Sequence, residues 1–430
     1  MRVLVLGAYG LIGLAVSRRL MADGHKIVGL ARSAKRGTAF LPAADWLEAD
    51  ISKLTRSEDW HHYLDSIDVV VNASGALQTG LKDNVANVQT EAIRALIKAC
   101  ENSPTHTFVQ ISAPGATETA DTEFYRTKGM ADAALRDSTL NWTILRPGLV
   151  ISPHAYGGTS LIRTLAAFPI VQPILLANAP IQTVSIDDVT KAVSMAVNGD
   201  LPKADIDLVE PQSQTLADLV ASVRSWLGFS KAKATLEMPN WSGRLTAKLA
   251  DLAGWLGWRS PMRSTALTVL TEGVTGDPEP WERLSDHPAR SLKQTLDHLP
   301  STAQERIFAR AMLAYPFLLI ILSGFWIVSG TIGLAQQTSA LKVVEGTLPS
   351  SIGLAFVRIG SIADILIGIS LVFRPTTRLA CLASIAVSIS YLIGSVLFAP
   401  ELWTDPLGPM VKVFPAIALS VIVAALTQDR

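Results

Sequence analysis

The sequence predicts an α/β fold, a doubly wound parallel sheet, followed by an all-α domain of about four membrane-crossing helices. Three observations predict it. Residues 2–31 read as strand, glycine-rich turn, helix and second strand. Short apolar runs then alternate with helical periodicity to about residue 150, the pattern of parallel strands joined by crossover helices. After about residue 310 the apolar runs lengthen to the width of a bilayer.

The opening unit starts with Arg2-Val3-Leu4-Val5-Leu6, an apolar run suited to a buried strand. Gly7, Gly10 and Gly13 follow, and the pattern then turns helical at Leu11, Ile12, Ala15, Val16 and Leu20. Gly24 is a suitable helix stop, and Lys26 to Ala31 read as the second strand. Glycines on such a turn allow a sharp bend, close approach of backbone to a pyrophosphate, and tight packing of helix on strand. The helix N-terminus then offers amide hydrogens and partial positive charge to phosphates. Gly7, Tyr9, Gly10, Leu11, Ile12 and Gly13 are therefore the expected phosphate cradle of a dinucleotide. The second strand ends at Arg32 and Ser33, with Lys35 and Arg36 behind them, rather than at an acid that would hold a ribose 2′-hydroxyl. That favours NADP(H) over NAD(H).

The alternation continues. Trp46-Leu47-Glu48-Ala49 reads as a third strand running to Asp50, and Ile67 to Val71 as a fourth running into Asn72, Ala73 and Ser74, small residues that let the chain pass under a cofactor. Asn84 to Cys100 is expected to be a helix, and Thr107 to Ile111 a fifth strand with Ser112 at its C-terminal end, where open α/β sheets bind ligands. Phe124-Tyr125-Arg126-Thr127-Lys128 opens another helix, and Asn141 to Gly148 carries a strand and turn. Residues 151 to about 235 are less regular, with Thr183 to Val189 reading as a strand before an Asp-capped helix and Leu216 to Leu227 as an amphipathic helix.

Composition sets bounds. In 430 residues, Lys+Arg and Asp+Glu both number 37, so no net field points to nucleic acid or an acidic substrate. The hydrophobic share is 49%, and the mean hydropathy of +0.32 is high for a soluble enzyme. Cys100 and Cys381 form no disulfide framework, and the seven histidines, His61-His62 included, have no metal-ligand spacing. No leader segment is expected ahead of the first strand.

The expected division is residues 1–235, a nucleotide-binding domain; 236–305, a connecting segment; and 306–430, a membrane domain. Trp241, Trp255, Trp258 and Trp281 fall in the connecting segment, with Trp226 just before it. Its stripe of Leu245, Leu249, Leu252 and Leu256 is flanked by Arg244, Lys248 and Arg259. Such a basic helix suits a membrane interface or a packed position on the first domain. The runs 312–334, 352–373, 379–398 and 410–426 are read as four spans, the last the shortest. Arg306, Arg310, Arg374 and Arg378 lie at one end of them. The opposite loops hold Lys342 with Glu345, and Glu401 with Asp405. This bias places the first domain, the 374–378 turn and the end of the chain on the cytoplasmic side of the inner membrane. Arg358 and Asp364 lie inside the second span, where charges face a partner or a wet cavity. Six residues along a helix is about 9 Å of rise, so the two need not pair.

The spacing Gly7-x-x-Gly10-x-x-Gly13, with the Arg146-Pro147-Gly148 turn, resembles the extended and atypical short-chain dehydrogenase/reductases, among them epimerase/dehydratase-like and complex I accessory-subunit-like members. Residues from about 310 resemble the DoxX-like membrane domain. The first resemblance implies a Rossmann sheet, an Asp at position 50 near the adenine (a plain strand-end acid serves equally), and a region 151–235 that closes over substrate. It also implies chemistry by a Tyr four residues before a Lys, with a Ser polarising a carbonyl. Lys128 and Ser112 keep that register, but Phe124 holds the acid position. Tyr125 is offset by one residue, about 100° around a helix. Three readings follow: a membrane-anchored NADPH-dependent oxidoreductase on a lipid-soluble quinone- or isoprenoid-like substrate, a silent nucleotide-binding accessory or sensor subunit of a membrane complex, or an epimerase on the same fold.

Overall fold

Burial on both faces sets the sheet. In β1 (Arg2–Leu6) the residues Val3 to Leu6 are fully buried, as a central parallel strand requires. It pairs in parallel with β2 (Lys26–Ala31), which carries β3 (Asp45–Glu48) at its other edge. On the other side follow β4 (Val69–Asn72), β5 (Thr107–Ile111), β6 (Asn141–Pro147) and β7 (Ala204–Leu208), all parallel. The order β7-β6-β5-β4-β1-β2-β3 reverses direction between β1 and β4, which opens a crevice at their C-terminal ends. The computed structural model describes residues 1–75, 84–258, 260, 262–343 and 347–427; Arg259 and Glu345, weighed above, lie outside them.

Helices cover both faces. On one, α1 (Leu11–Ala22) contributes Leu14, Val16 and Leu20 to a core shared with Val3, Val5 and Val69. On the other, the chain after Asn84 passes through a π-turn, Asn87–Glu91, into α3 (Ala92–Glu101), whose Ile93, Leu96 and Cys100 join Leu4, Leu6 and Phe108. The short α2 (Ala34–Phe40) lies between β2 and β3. From α4 (Glu123–Arg136), Ala131 and Leu135 pack on the second face; from α5 (Ile186–Asn198), Val189, Ala192 and Val193 pack on the first. The cap of α5 is Ser185, whose hydroxyl accepts from the Asp187 amide. Asp187 and Asp188 stand instead in its first turn, where carboxylates still favour the helix dipole.

The chain divides into two units: Met1–Leu252 with Ser260–Arg306, and Ala253–Arg259 with Ile307–Arg430. The connecting segment expected over 236–305 thus does not stand alone. Two buried carboxylates and one half-buried bind its second half to the rest of the first unit. Glu210 accepts from the Leu292 amide (2.7 Å) as well as from Thr183 and Gln214, Asp188 accepts from the Arg290 amide (2.9 Å), and Asp207 from the Asp277 amide (3.0 Å). None of these contacts leaves a periodicity in sequence.

The second unit holds α7 (Ala303–Ala335), α8 (Ser350–Val372), α9 (Thr377–Phe398) and α10 (Val413–Leu426). The first three are long and apolar enough to cross a membrane. The fourth, at 14 residues, rises about 21 Å, short of the roughly 30 Å core of a bilayer, so of the four expected spans three have the length to cross and the fourth folds as a shorter apolar helix among the described residues. It still packs with the others: Val423 is fully buried beside Leu322, Leu371 and Cys381, and Ser384 donates to Ser420 (2.7 Å). Large apolar residues such as Ile320, Ile359 and Leu379 face outward and are more than two-thirds exposed, the reverse of the first unit. Asp364 is buried and accepts from Tyr391 (2.7 Å) and Ser329 (3.0 Å), while Arg358 donates to Gln337 (2.8 Å). The two charges have separate partners.

Candidate functional site

The C-terminal ends of β1, β4 and β5 bring the glycine turn, Ala73–Gly75 and Ser112 to one edge of the sheet. The fit to a dinucleotide is tested by what side chains would meet there. Gly7 has φ +71°, and a Cβ on it would stand 2.8 Å from the Ala73 carbonyl oxygen. One on Gly13 would stand 2.3 Å from the Gly7 carbonyl oxygen, and one on Gly10 3.1 Å from the same atom. The turn therefore tolerates glycine alone at positions 7 and 13. The first turn of α1 has no side-chain cap and no acidic residue, and its leading amides, those of Leu11 and Ile12 among them, have no acceptor within the helix. Such an end is suited to a phosphate.

Around the turn, the Tyr9 ring lies 6.1 Å from both Phe40 and Trp46. The Ser74 hydroxyl (2.5 Å) and amide (3.0 Å) donate to Asn72 Oδ1, and Asn72 Nδ2 donates to Gln110 (2.9 Å), so the chain under the crevice is held rigidly. Arg32 is exposed at the end of β2, and Ser33 caps α2 by accepting from the Arg36 amide. In the same turn the Ala34 amide donates to Glu48 Oε2 (2.9 Å); this carboxylate beside the basic turn was not foreseen, because it comes from the next strand. Asp50 accepts from the Ser52 amide and hydroxyl and caps a short 3-10 turn, Ile51–Lys53.

Helix α4 carries Tyr125 and Lys128, two of the three residues expected to do chemistry. Thr122 caps it by accepting from the Tyr125 amide. Phe124 and Lys128 share a face, with Lys128 Nζ 5.8 Å from the Phe124 ring centre. Tyr125 is buried on another face, near Gly115, and burial, with the Glu272 charge second, pushes its hydroxyl up to about 12. Lys128 Nζ donates to the Ile111 carbonyl (2.9 Å). It lies close to Gly75, and burial lowers it to about 8 against an opposing pull from Asp132. Ser112 donates to Asp132 Oδ2 at 2.6 Å.

Sequence reasoning missed Asp132. It is fully buried one turn beyond Lys128, and burial raises its carboxyl while Ser112 and Arg146 oppose the shift. Arg146 reaches it at 3.4 Å and bridges onward to Asp205, which Arg136 also holds (2.8 Å). The i, i+4 spacing of Lys128 and Asp132 was the available signal. A cavity of about 340 Å³ opens beside this network, lined by Gly115 to Glu118, Gly129, Arg136, Arg146, Asp205 and Asp207. Neither the cradle glycines nor Lys128 line it.

Residues 7–165 match a family model for NAD(P)H-binding domains, and residues 323–421 match the DoxX-like family. The chain joins an NAD(P)-binding Rossmann domain to a DoxX-like domain. Among solved structures, the Bordetella bronchiseptica enzyme WbmG in complex with NAD aligns with TM-score 0.53 at 16% identity, covering 69% of this chain and 92% of that one. The NADPH-dependent quinone oxidoreductase QOR2 of Escherichia coli, complexed with NADPH, aligns with TM-score 0.53 at 17% identity, covering 69% and 99%. The photosystem II assembly factor Ycf39 of a Synechocystis species is 30% identical over 147 residues, 34% of this chain and 44% of that protein. An uncharacterized protein of Mycobacterium tuberculosis is 25% identical over 224 residues, and the chain spans 23% of its length. The family match supports a nucleotide cofactor; the two solved structures, one complexed with NAD and one with NADPH, share the fold of this chain.

Proposed function

We propose that this protein is a membrane-anchored, NADPH-dependent oxidoreductase acting on a lipid-soluble, quinone-like substrate, with the Rossmann domain on the cytoplasmic side of the inner membrane. The observation that carries the proposal is the pairing of a cradle that admits only glycine at positions 7 and 13 with an apolar helical unit on the same chain. Gly7, Gly10, Gly13 and the N-terminal amides of α1 would hold the pyrophosphate, Arg32 and Ser33 the 2′-phosphate, and Lys128 the nicotinamide ribose. The bound cofactor supplies a hydride. Phe124 has no proton to give and Tyr125 is buried elsewhere, so the substrate that suits this site is one whose reduced oxygens take protons from water. A quinone meets that condition better than a ketone, and the likeness to a quinone oxidoreductase supports the same choice.

A second reading has its own support. Ser112 is held by Asp132 rather than presented to a carbonyl, and one relative is an assembly factor; both fit a silent nucleotide-binding subunit of a membrane complex. The two readings separate in one assay. Full-length protein in detergent should oxidise NADPH when a short-chain ubiquinone or menaquinone analogue is added, at a rate proportional to protein. Tight NADPH binding without turnover across quinones, aldehydes and ketones would overturn the oxidoreductase and leave the subunit.

A further inference from the structure

Helix α6 (Asn240–Trp255) is built inside out for a soluble protein. Its exposed side carries Trp241, Leu245, Leu249, Leu252 and Trp255, each more than half exposed. At 100° per residue these five fall within an arc of about 120°. The small residues Gly243, Ala247 and Ala250 face inward, and a Cβ on Gly243 would stand 2.9 Å from a Leu175 methyl. The helix therefore sits down on small side chains and turns its large apolar ones outward, opposite to what a surface helix of a globular domain does. Contiguous apolar surface of this size marks an interaction site.

The charge on that side is positive. Arg244 and Lys248 are exposed within or beside the stripe. The helix's acid, Asp251, is paired with Arg263 (3.1 Å) and accepts from Ser264. The end of the helix and the chain immediately after it belong to the second unit. In the second unit, Trp258 Nε1 donates to the Val372 carbonyl (2.7 Å), the Leu256 carbonyl accepts from the Arg374 amide (3.0 Å), and the Arg374 guanidinium lies over the Trp258 ring. Val372 ends α8, so Trp258 and Arg374 form the Trp-and-Arg arrangement of a span's end at the membrane–water boundary. Trp258 is three residue steps beyond Trp255, a reach of about 10 Å.

We propose that α6 lies in the plane of the bilayer interface, with its Trp and Leu stripe among the upper acyl chains and Arg244 and Lys248 against anionic phosphate head groups. The stripe's width, its flanking cations and its tether at the end of α8 all suit a lipid surface. This holds whether or not the first unit turns over substrate.

The test uses the full-length chain with a single cysteine at Leu245 or Leu249, labelled with a polarity-sensitive fluorophore. Cys100 and Cys381 are buried, and exposed Ser213 serves as the control position. In vesicles of phosphatidylcholine and phosphatidylglycerol, probes at 245 and 249 should emit to the blue, be quenched by lipids spin-labelled near the head group, and be shielded from aqueous iodide. The probe at 213 should behave oppositely. Leu245→Glu with Leu249→Glu alters exposed side chains only, so it should preserve nucleotide binding while abolishing lipid quenching of a probe at Leu252. Iodide access equal to that at 213 overturns the proposal. So does shielding lost at one copy per nanodisc, which assigns the face to a second copy, or shielding confined to native membranes, which assigns it to another protein.

Discussion

The glycine turn after β1 and the first turns of α4 lie in one domain but are held by different kinds of contact. In the turn, contacts are backbone against backbone: a Cβ on Gly13 meets a carbonyl at 2.3 Å, one on Gly7 another at 2.8 Å. In α4 the positions that would do chemistry have found local partners. Lys128 donates to Ile111, Ser112 to Asp132, Tyr125 is buried, and Phe124 stands where an acid would. Binding rests on shape that a side chain destroys, whereas proton chemistry rests on one residue's register along a helix. The first does not depend on the second, so nucleotide binding and turnover are separate questions for this protein.

The largest expected effect breaks the shape. Gly13→Val forces a branched side chain against the Gly7 carbonyl; such overpacking costs about 1–3 kcal/mol and displaces the amides proposed to meet the phosphates. Titration of NADPH into full-length variant in detergent should show no saturable binding. Affinity equal to wild type would mean that the nucleotide lies elsewhere.

The next effect tests the register. Lys128→Ala should lower NADPH-dependent turnover by about a hundredfold, whereas Tyr125→Phe should leave most of it, since a positioned general acid is worth about 10²–10⁴ and Tyr125 is not so positioned. The pH dependence carries the same assignment. With Lys128 lowered to about 8 by burial, its charge is present below that pH and lost above it. A contribution of the ammonium to nucleotide affinity should therefore fall as pH rises through about 8, and the Lys128→Ala variant should lack that limb. A hundredfold loss from Tyr125→Phe would instead restore an ordinary reductase site.

Much of this was legible in sequence because it is local. The strand, turn and helix around Gly7–Gly13 announce themselves by period and by glycine spacing, as do the long apolar helices. The offset of Tyr125 from Lys128 follows from helical geometry alone. What was not legible depends on contacts between distant segments: Glu210 reaching Leu292, Asp207 reaching Asp277, and Asp132 meeting Ser112 and Arg146. The fourth apolar run also read as longer than it folds. Residues Pro409–Lys412 form turns before α10 begins, and hydropathy alone does not distinguish a turn from a helix.

The smallest effect sharpens the comparison at the rim of the cradle, where neither backbone shape nor a buried helix decides. Arg32 is exposed, so its contact with a 2′-phosphate is screened by water and salt. Glu48 already places a carboxylate on the Ala34 amide of the same turn, and that negative charge works against a phosphate there. A charge-assisted contact would still favour NADPH, but for an exposed site the expected loss on Arg32→Ala is about tenfold in NADPH affinity with little change for NADH. Glu48→Gln should move the other way, improving NADPH more than NADH by removing the repulsion. Both shifts should shrink as salt is raised, since they are electrostatic and exposed. Parallel titrations of the two nucleotides at two ionic strengths measure this. Equal changes for NADH and NADPH in both variants would show that the second strand's basic end does not read the phosphate, and the cofactor choice would then rest on residues beyond this turn.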